Sequence, residues 1–168
     1  MNSAVDNTTL VIGWGNDLRG DDGVGRRVAE RVRAMCLPNV VVCSLHQPGP
    51  ELAADMAGAS RVIFVDASLE VEEVTVRRVD SDILPSDGGL GHAVSPESLA
   101  CLARTLYEAD PEVWAIHVPA SDFEYGHDLS GPVKQHAVEA YRLVRQLIAT
   151  PRAEGAEERT SDLAFASV

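Results

Sequence analysis

The segment Gly13-Trp14-Gly15-Asn16-Asp17-Leu18-Arg19-Gly20-Asp21-Asp22-Gly23-Val24-Gly25 concentrates glycines and carboxylates in one short stretch. Glycines in a loop that leaves a strand and enters a helix invite a phosphate-cradle reading. The details oppose it. A GxGxxG beginning at Gly13 needs a small residue at position 18, and Leu18 stands there. Asp21 and Asp22 also fall near the expected helix N-terminus, whose free N–H groups and dipole attract anions. Two carboxylates already occupy that field and would repel a pyrophosphate. The loop is read as one that presents carboxylate.

Within it, Asp21 is read as the helix N-cap and Asp22 as the residue available for chemistry. Gly23 and Gly25 in the first turn each reduce helix stability by up to ~1 kcal/mol relative to alanine. Close approach of another chain or a ligand would explain them. Asn16 is expected to bond neighbouring backbone groups. Asp66 follows the apolar run Val62–Val65, and His92 lies in a glycine-rich loop. Taken singly, these are a turn acid and an ordinary loop histidine. Taken together, two carboxylates and one imidazole suit a first-row divalent metal with open coordination positions. That reading depends on Asp22, Asp66 and His92 meeting in space.

The elements that must bring them together follow from periodicity. Apolar runs at Thr9–Gly13, Val40–Leu45, Arg61–Val65 and Val113–Val118 predict buried strands, and the alternating Val71–Val79 predicts an edge strand. Helices are expected over about Asp22–Met35, with Val24, Val28, Val32 and Met35 inward, and over Glu51–Ala57. Another follows the Ser95-Pro96 start, with Leu99, Leu102, Leu106 and Tyr107 as its buried stripe. The last, capped by Ser130, carries Val133, Ala137, Tyr141, Val144 and Ile148 inward.

This alternation predicts a three-layer α/β/α sandwich with a mostly parallel, twisted central sheet of about five strands, one edge strand antiparallel. Ligands gather at the carboxyl ends of such strands, which selects the loop after Gly13 and the turn at Asp66. Residues 1–150 read as a single domain, and 151–168 as a disordered tail.

At 168 residues and a net charge of −12, the chain suits one domain whose surface repels nucleic acid and anionic membranes. Cys36, Cys43 and Cys101 form no CxxC pair, which argues against a zinc ribbon or disulfide framework; Cys43 and Cys101 read as small core residues. The N-terminus lacks the basic start and apolar run of a signal peptide, and no apolar stretch nears the ~20 residues of a membrane span. A cytoplasmic monomer is expected.

The order GWGNDLRGDDGVG, HQPGPELA (His46–Ala53), VIFVDA (Val62–Ala67) and HAVSPESL (His92–Leu99) resembles the hydrogenase maturation protease family, over about Leu10 to Ile148. The resemblance implies that Asp22, Asp66 and His92 are both the metal-binding and the catalytic residues. It further implies an endopeptidase that clips the C-terminal extension from a [NiFe]-hydrogenase large-subunit precursor once nickel is in place. The nickel would come with the substrate, and the triad would sense it, polarise the scissile carbonyl or activate water. Zinc or cadmium would be expected to occupy the same site in vitro.

The absence of GxSxG and HExxH argues against a conventional serine or zinc protease. Branches of the family place the histidine nearer Ser95–Glu97, which makes Glu97 the competing third ligand, although it also suits a capping role. Asn16, Gly23, Gly25 and His46 are expected to line the substrate path. His117, His127 and His136 read as structural or exposed. Two rivals stand beside this reading: a nucleotide-dependent doubly wound enzyme, and a non-catalytic nickel-binding maturation chaperone.

Overall fold

The computed structural model describes residues 7–80, 94–126 and 128–152. The apolar runs become the strands β1 (Thr9–Trp14), β2 (Val40–Leu45), β3 (Arg61–Ser68), β4 (Thr75–Val79) and β5 (Glu112–Pro119). They form one sheet in the order β2-β1-β3-β5-β4. Every pairing is parallel except that of β4 with β5, which is antiparallel and lies at the edge. The expected fold class holds.

Side chains alternate across the pleat, and the sheet therefore has two apolar faces. On one, Leu10, Ile12, Val62, Phe64, Val113 and Ala115 pack under the helices α2 (Leu52–Ala57) and α3 (Pro96–Tyr107). On the other, Val11, Ile63, Val65 and Ile116 pack under α1 (Val24–Arg33) and α4 (Gly131–Ala149). Val24, Val28 and Val32 of α1 are fully enclosed. Each such side chain contributes roughly 1.5–3 kcal/mol by leaving water.

Several local expectations are corrected. The chain enters α1 through a 3₁₀ turn at Gly20–Gly23, so the α-helix proper starts at Val24 rather than near Asp22. β3 runs on to Ser68, because β5 continues beside it as far as Pro119; Asp66 therefore lies inside a strand. β4 begins at Thr75, not Val71. Leu106 and Tyr107 of α3 are exposed, and the helix instead buries Leu99, Ala100 and Ala103. Small residues there let α3 approach α2 and the sheet closely. Cys43 packs on the core and Cys101 is half-buried.

At the amino-terminal edge of β3 and β5, Arg61 and Glu112 form a buried ion pair at 2.6 Å. The Arg61 guanidinium also donates to the carbonyls of Leu147 and Thr150, which ties the end of α4 to the sheet. A cavity of about 670 Å³ opens beside this pair. It lies at the opposite end of the sheet from the acidic loop, and its guanidinium is already committed.

Candidate active site

The acidic loop leaves β1 at Trp14, and its glycines are demanded by the chain itself. A β-carbon on Gly25 would sit 2.4 Å from the carbonyl oxygen of Val65 and 2.6 Å from that of Trp14. Gly15 has φ +135°, and a β-carbon there would meet the Asp22 carbonyl at 1.8 Å. A β-carbon on Gly23 would stand 2.8 Å from Asp17 Oδ1. The close approach that these residues allow is therefore of loop to helix to β3. That packing leaves no cradle for a phosphate.

Asn16 fixes the loop as expected, its Oδ1 accepting from the Leu18 N–H at 2.9 Å. The Asn16 N–H in turn donates to Asp22 Oδ2 at 2.9 Å, which holds one oxygen of Asp22; among the described residues the other accepts no hydrogen bond. Asp17 is paired with Arg26 at 2.8 Å on the loop's flank.

Asp66 sits two steps past Phe64 on the face covered by α2 and α3. Burial, chiefly, lifts its pKa to about 7; the Ala67 N–H opposes the rise, the nearby Asp22 carboxylate adds to it, and a hydrogen bond from Trp14 opposes it. Asp22 and Asp66, from different elements, thus converge closely enough for their charges to be felt. Around neutrality the Asp66 carboxyl can therefore hold or release a proton, which suits proton exchange with a reacting group. Two carboxylates pressed together are also what an arriving cation would relieve.

His92 lies outside the described residues. Among the described residues, no three His, Cys, Asp or Glu side chains stand close enough to hold a metal. The Glu97 carboxylate pairs with Arg77 of β4 at 2.6 Å. Glu97 does not cap α3. Ser95 and Ser98 form that box between themselves. Burial raises the Glu97 pKa, but its own N–H, Arg77 and Ser95 bring it below the ordinary glutamate value. His46 follows β2, is exposed, and stands beyond Leu45, the partner of Trp14.

Sequence reasoning missed three residues here. Trp14 hydrogen-bonds Asp66 and stacks edge-on against Phe64 at 5.6 Å. His117 on β5 is the register partner of Asp66, and the shared pleat puts both on one face. Its Nε2 accepts from Arg77 Nε at 3.4 Å, while burial and the Arg77 charge keep its pKa below the usual histidine value despite Glu97 and Glu70. The third is Asp21. It does not cap α1, whose N-cap is Gly23, and its partners lie about a hundred residues away.

The chain is 30% identical over 118 residues to a Methanocaldococcus jannaschii protein assigned by name to the hydrogenase maturation proteases, a match spanning 68% of this chain and 77% of that one. The chain belongs to the hydrogenase maturation protease family. No protein-family model matches it. The fold of this maturation protease is shared with solved structures. The HycI maturation protease of Thermococcus kodakarensis superposes with a TM-score of 0.67 at 21% identity, covering 86% of this chain and 94% of the other. The HybD maturating endopeptidase of Escherichia coli gives 0.64 at 20% identity, covering 84% and 91%. With the family comes the enzyme class: an endopeptidase, a hydrolase.

Proposed function

We propose that this maturation protease removes the C-terminal extension of a [NiFe]-hydrogenase large-subunit precursor after nickel insertion. In this reading Asp22, Asp66 and His92 face the nickel carried by the substrate. The observation that supports it most is the convergence of Asp22 and Asp66, from the 3₁₀ turn and β3, with the Asp66 pKa raised to about 7.

Asp66 then gives up its proton as the substrate's cation approaches, and the pair becomes an oxygen-donor clamp of the type divalent first-row ions accept alongside imidazole. Asn16 holds Asp22 by one oxygen and leaves the other for the incoming cation. Trp14 orients Asp66 from the β1 side. The clamp fixes the metal-bearing end of the substrate, so that the peptide is positioned for attack by water. Exposed His46 borders the substrate path in this scheme, while Gly23 and Gly25, buried against the chain itself, shape the loop rather than line that path.

Zinc or cadmium would take the nickel position in vitro. The enzyme acts as a monomer in the cytoplasm. No helix among the described residues is long and apolar enough to cross a membrane, and the net charge of −12 disfavours nucleic acid as a partner.

The test is incubation with nickel-loaded and nickel-free precursor. Cleavage of the loaded form alone, abolished by Asp22→Ala, Asp66→Ala or His92→Ala in folded protein, is expected. Wild-type-like cleavage by all three variants would refute the site, and no cleavage of loaded precursor would refute the reaction.

A further inference from the structure

Asp21 has no part in the chemistry just described, yet its side chain is fully buried. Four donors converge on its carboxylate. The N–H groups of Ser121 and Asp122 reach Oδ2 at 3.3 and 3.0 Å, the Ser130 hydroxyl reaches the same oxygen at 3.0 Å, and the Ser130 N–H reaches Oδ1 at 2.7 Å. Burial raises its pKa, but these bonds outweigh it and leave the group below the ordinary aspartate value. Ser130, the N-cap residue of α4, makes no cap bond with its own side chain, because its hydroxyl is given to Asp21.

Backbone bonds complete a clasp between the two segments. The Asp21 N–H donates to the Asp122 carbonyl at 2.8 Å, and the Gly20 N–H to the Gly126 carbonyl at 2.9 Å. The Gly126 N–H returns to Leu18 at 3.0 Å.

Asp22 follows directly. Its carboxylate accepts from the Asn16 N–H on one side and lies near the Asp66 carboxyl on the other. On an unfastened loop a small backbone movement would be enough to carry the Asp22 carboxylate away from β3. Here the turn cannot yield, because the residue before Asp22 is fastened to the loop that enters α4. We infer that Asp21 is the positioning residue of this site: it fastens the 3₁₀ turn to Ser121, Asp122 and Ser130 and so fixes where Asp22 stands relative to Asp66.

The catalytic consequence rests on the peptidase reading above; the positional one does not. Misplacing a reacting group by about 1 Å can cost on the order of a hundredfold in rate. A buried carboxylate that served stability alone would affect turnover only as much as any equally destabilising change.

The experiment compares Asp21→Asn and Ser130→Ala with Val144→Ala, a core change in α4 remote from the site, in the full chain. Asp21→Asn should lower kcat on nickel-loaded precursor by about 10- to 100-fold with KM within about 3-fold. Val144→Ala, at a comparable loss of Tm, should keep kcat within about 2-fold of wild type. Ser130→Ala, which spares the three backbone donors, should fall between. In ¹⁵N–¹H spectra the Asn16 amide, which reports the Asp22 carboxylate, should move in Asp21→Asn and stay in place in Val144→Ala.

Equal kcat in Asp21→Asn and Val144→Ala, or an unmoved Asn16 amide, would overturn the inference. Should Asp21→Asn fail to fold, Ser130→Ala carries both measurements. If wild type cleaves no precursor, the substrate reading fails, while the Asn16 amide still decides the clasp.

Discussion

Arg61 and Glu112 pair at 2.6 Å at the first residues of β3 and β5, and five residues further along the same strands Asp66 and His117 stand side by side. The buried ion pair at one edge of the sheet therefore sets the register at the other. A slip of one residue would turn every side chain of β3 to the opposite face. It would carry Asp66 out of the site and leave both buried charges unpaired.

Replacing one partner of that pair should be costly. Glu112→Gln leaves the Arg61 guanidinium enclosed without its counter-charge, and a loss of about 3–5 kcal/mol is expected. A double change to apolar residues of similar volume should recover much of it. Urea denaturation of the single and double variants measures both; a loss below about 1 kcal/mol in the single variant would mean that the pair is solvated.

Asp66 makes stability depend on pH. Folded, it keeps its proton up to about 7; unfolded, it releases it near the ordinary value of 3.8. The native state therefore binds the extra proton between those values, and stability falls as pH rises through that window and then levels off. The contribution is at most about 4 kcal/mol at 1.36 kcal/mol per unit. Asp66→Asn should accordingly melt higher than wild type at pH 8, and the gap should close toward pH 4. Equal gaps at both pH values, read by calorimetry, would show that Asp66 titrates normally.

The Asp22 charge is a smaller cause of that shift than burial. Asp22→Asn should lower the Asp66 pKa without restoring the ordinary value. Carboxyl ¹³C titration would settle the order of the two causes, since a full return to about 4 would make charge, not burial, dominant.

Gly25→Ala forces a β-carbon against the Val65 and Trp14 carbonyls. Neither is the end of a flexible side chain, so a cost of about 2–3 kcal/mol and loss of peptidase activity are expected. Gly126→Ala meets nothing within 4 Å and should stay within about 0.5 kcal/mol of wild type. Thermal melts of the pair, with cleavage assays, distinguish a packing requirement from a general intolerance of the loop region.

The strands were legible, and Asp22 and Asp66 were singled out, because the signals are local: apolar runs ending in glycine or an acid, and glycines bunched at a strand exit. Leu106 and Tyr107 misled because bulk was equated with burial, whereas α3 makes its contact through Ala100 and Ala103 and lets its C-terminal end stand clear. His117 was hidden by register, which no single segment encodes, although the charged residues opening both strands offered the signal. Asp21 was hidden by distance. An acid at a helix start has a sufficient local explanation, and only the folded chain brings Ser121, Asp122 and Ser130 to it.

The tight contact among Gly13, Gly25 and Val65 also constrains how such an enzyme can diverge. A β-carbon on Gly13 would sit 2.1 Å from the Gly25 carbonyl, as little room as Gly25 itself has against β3. The junction of loop, α1 and β3 thus cannot be recarved one side chain at a time. Variation is tolerated instead at positions such as Leu18 and Tyr125, whose side chains are exposed and meet no such limit.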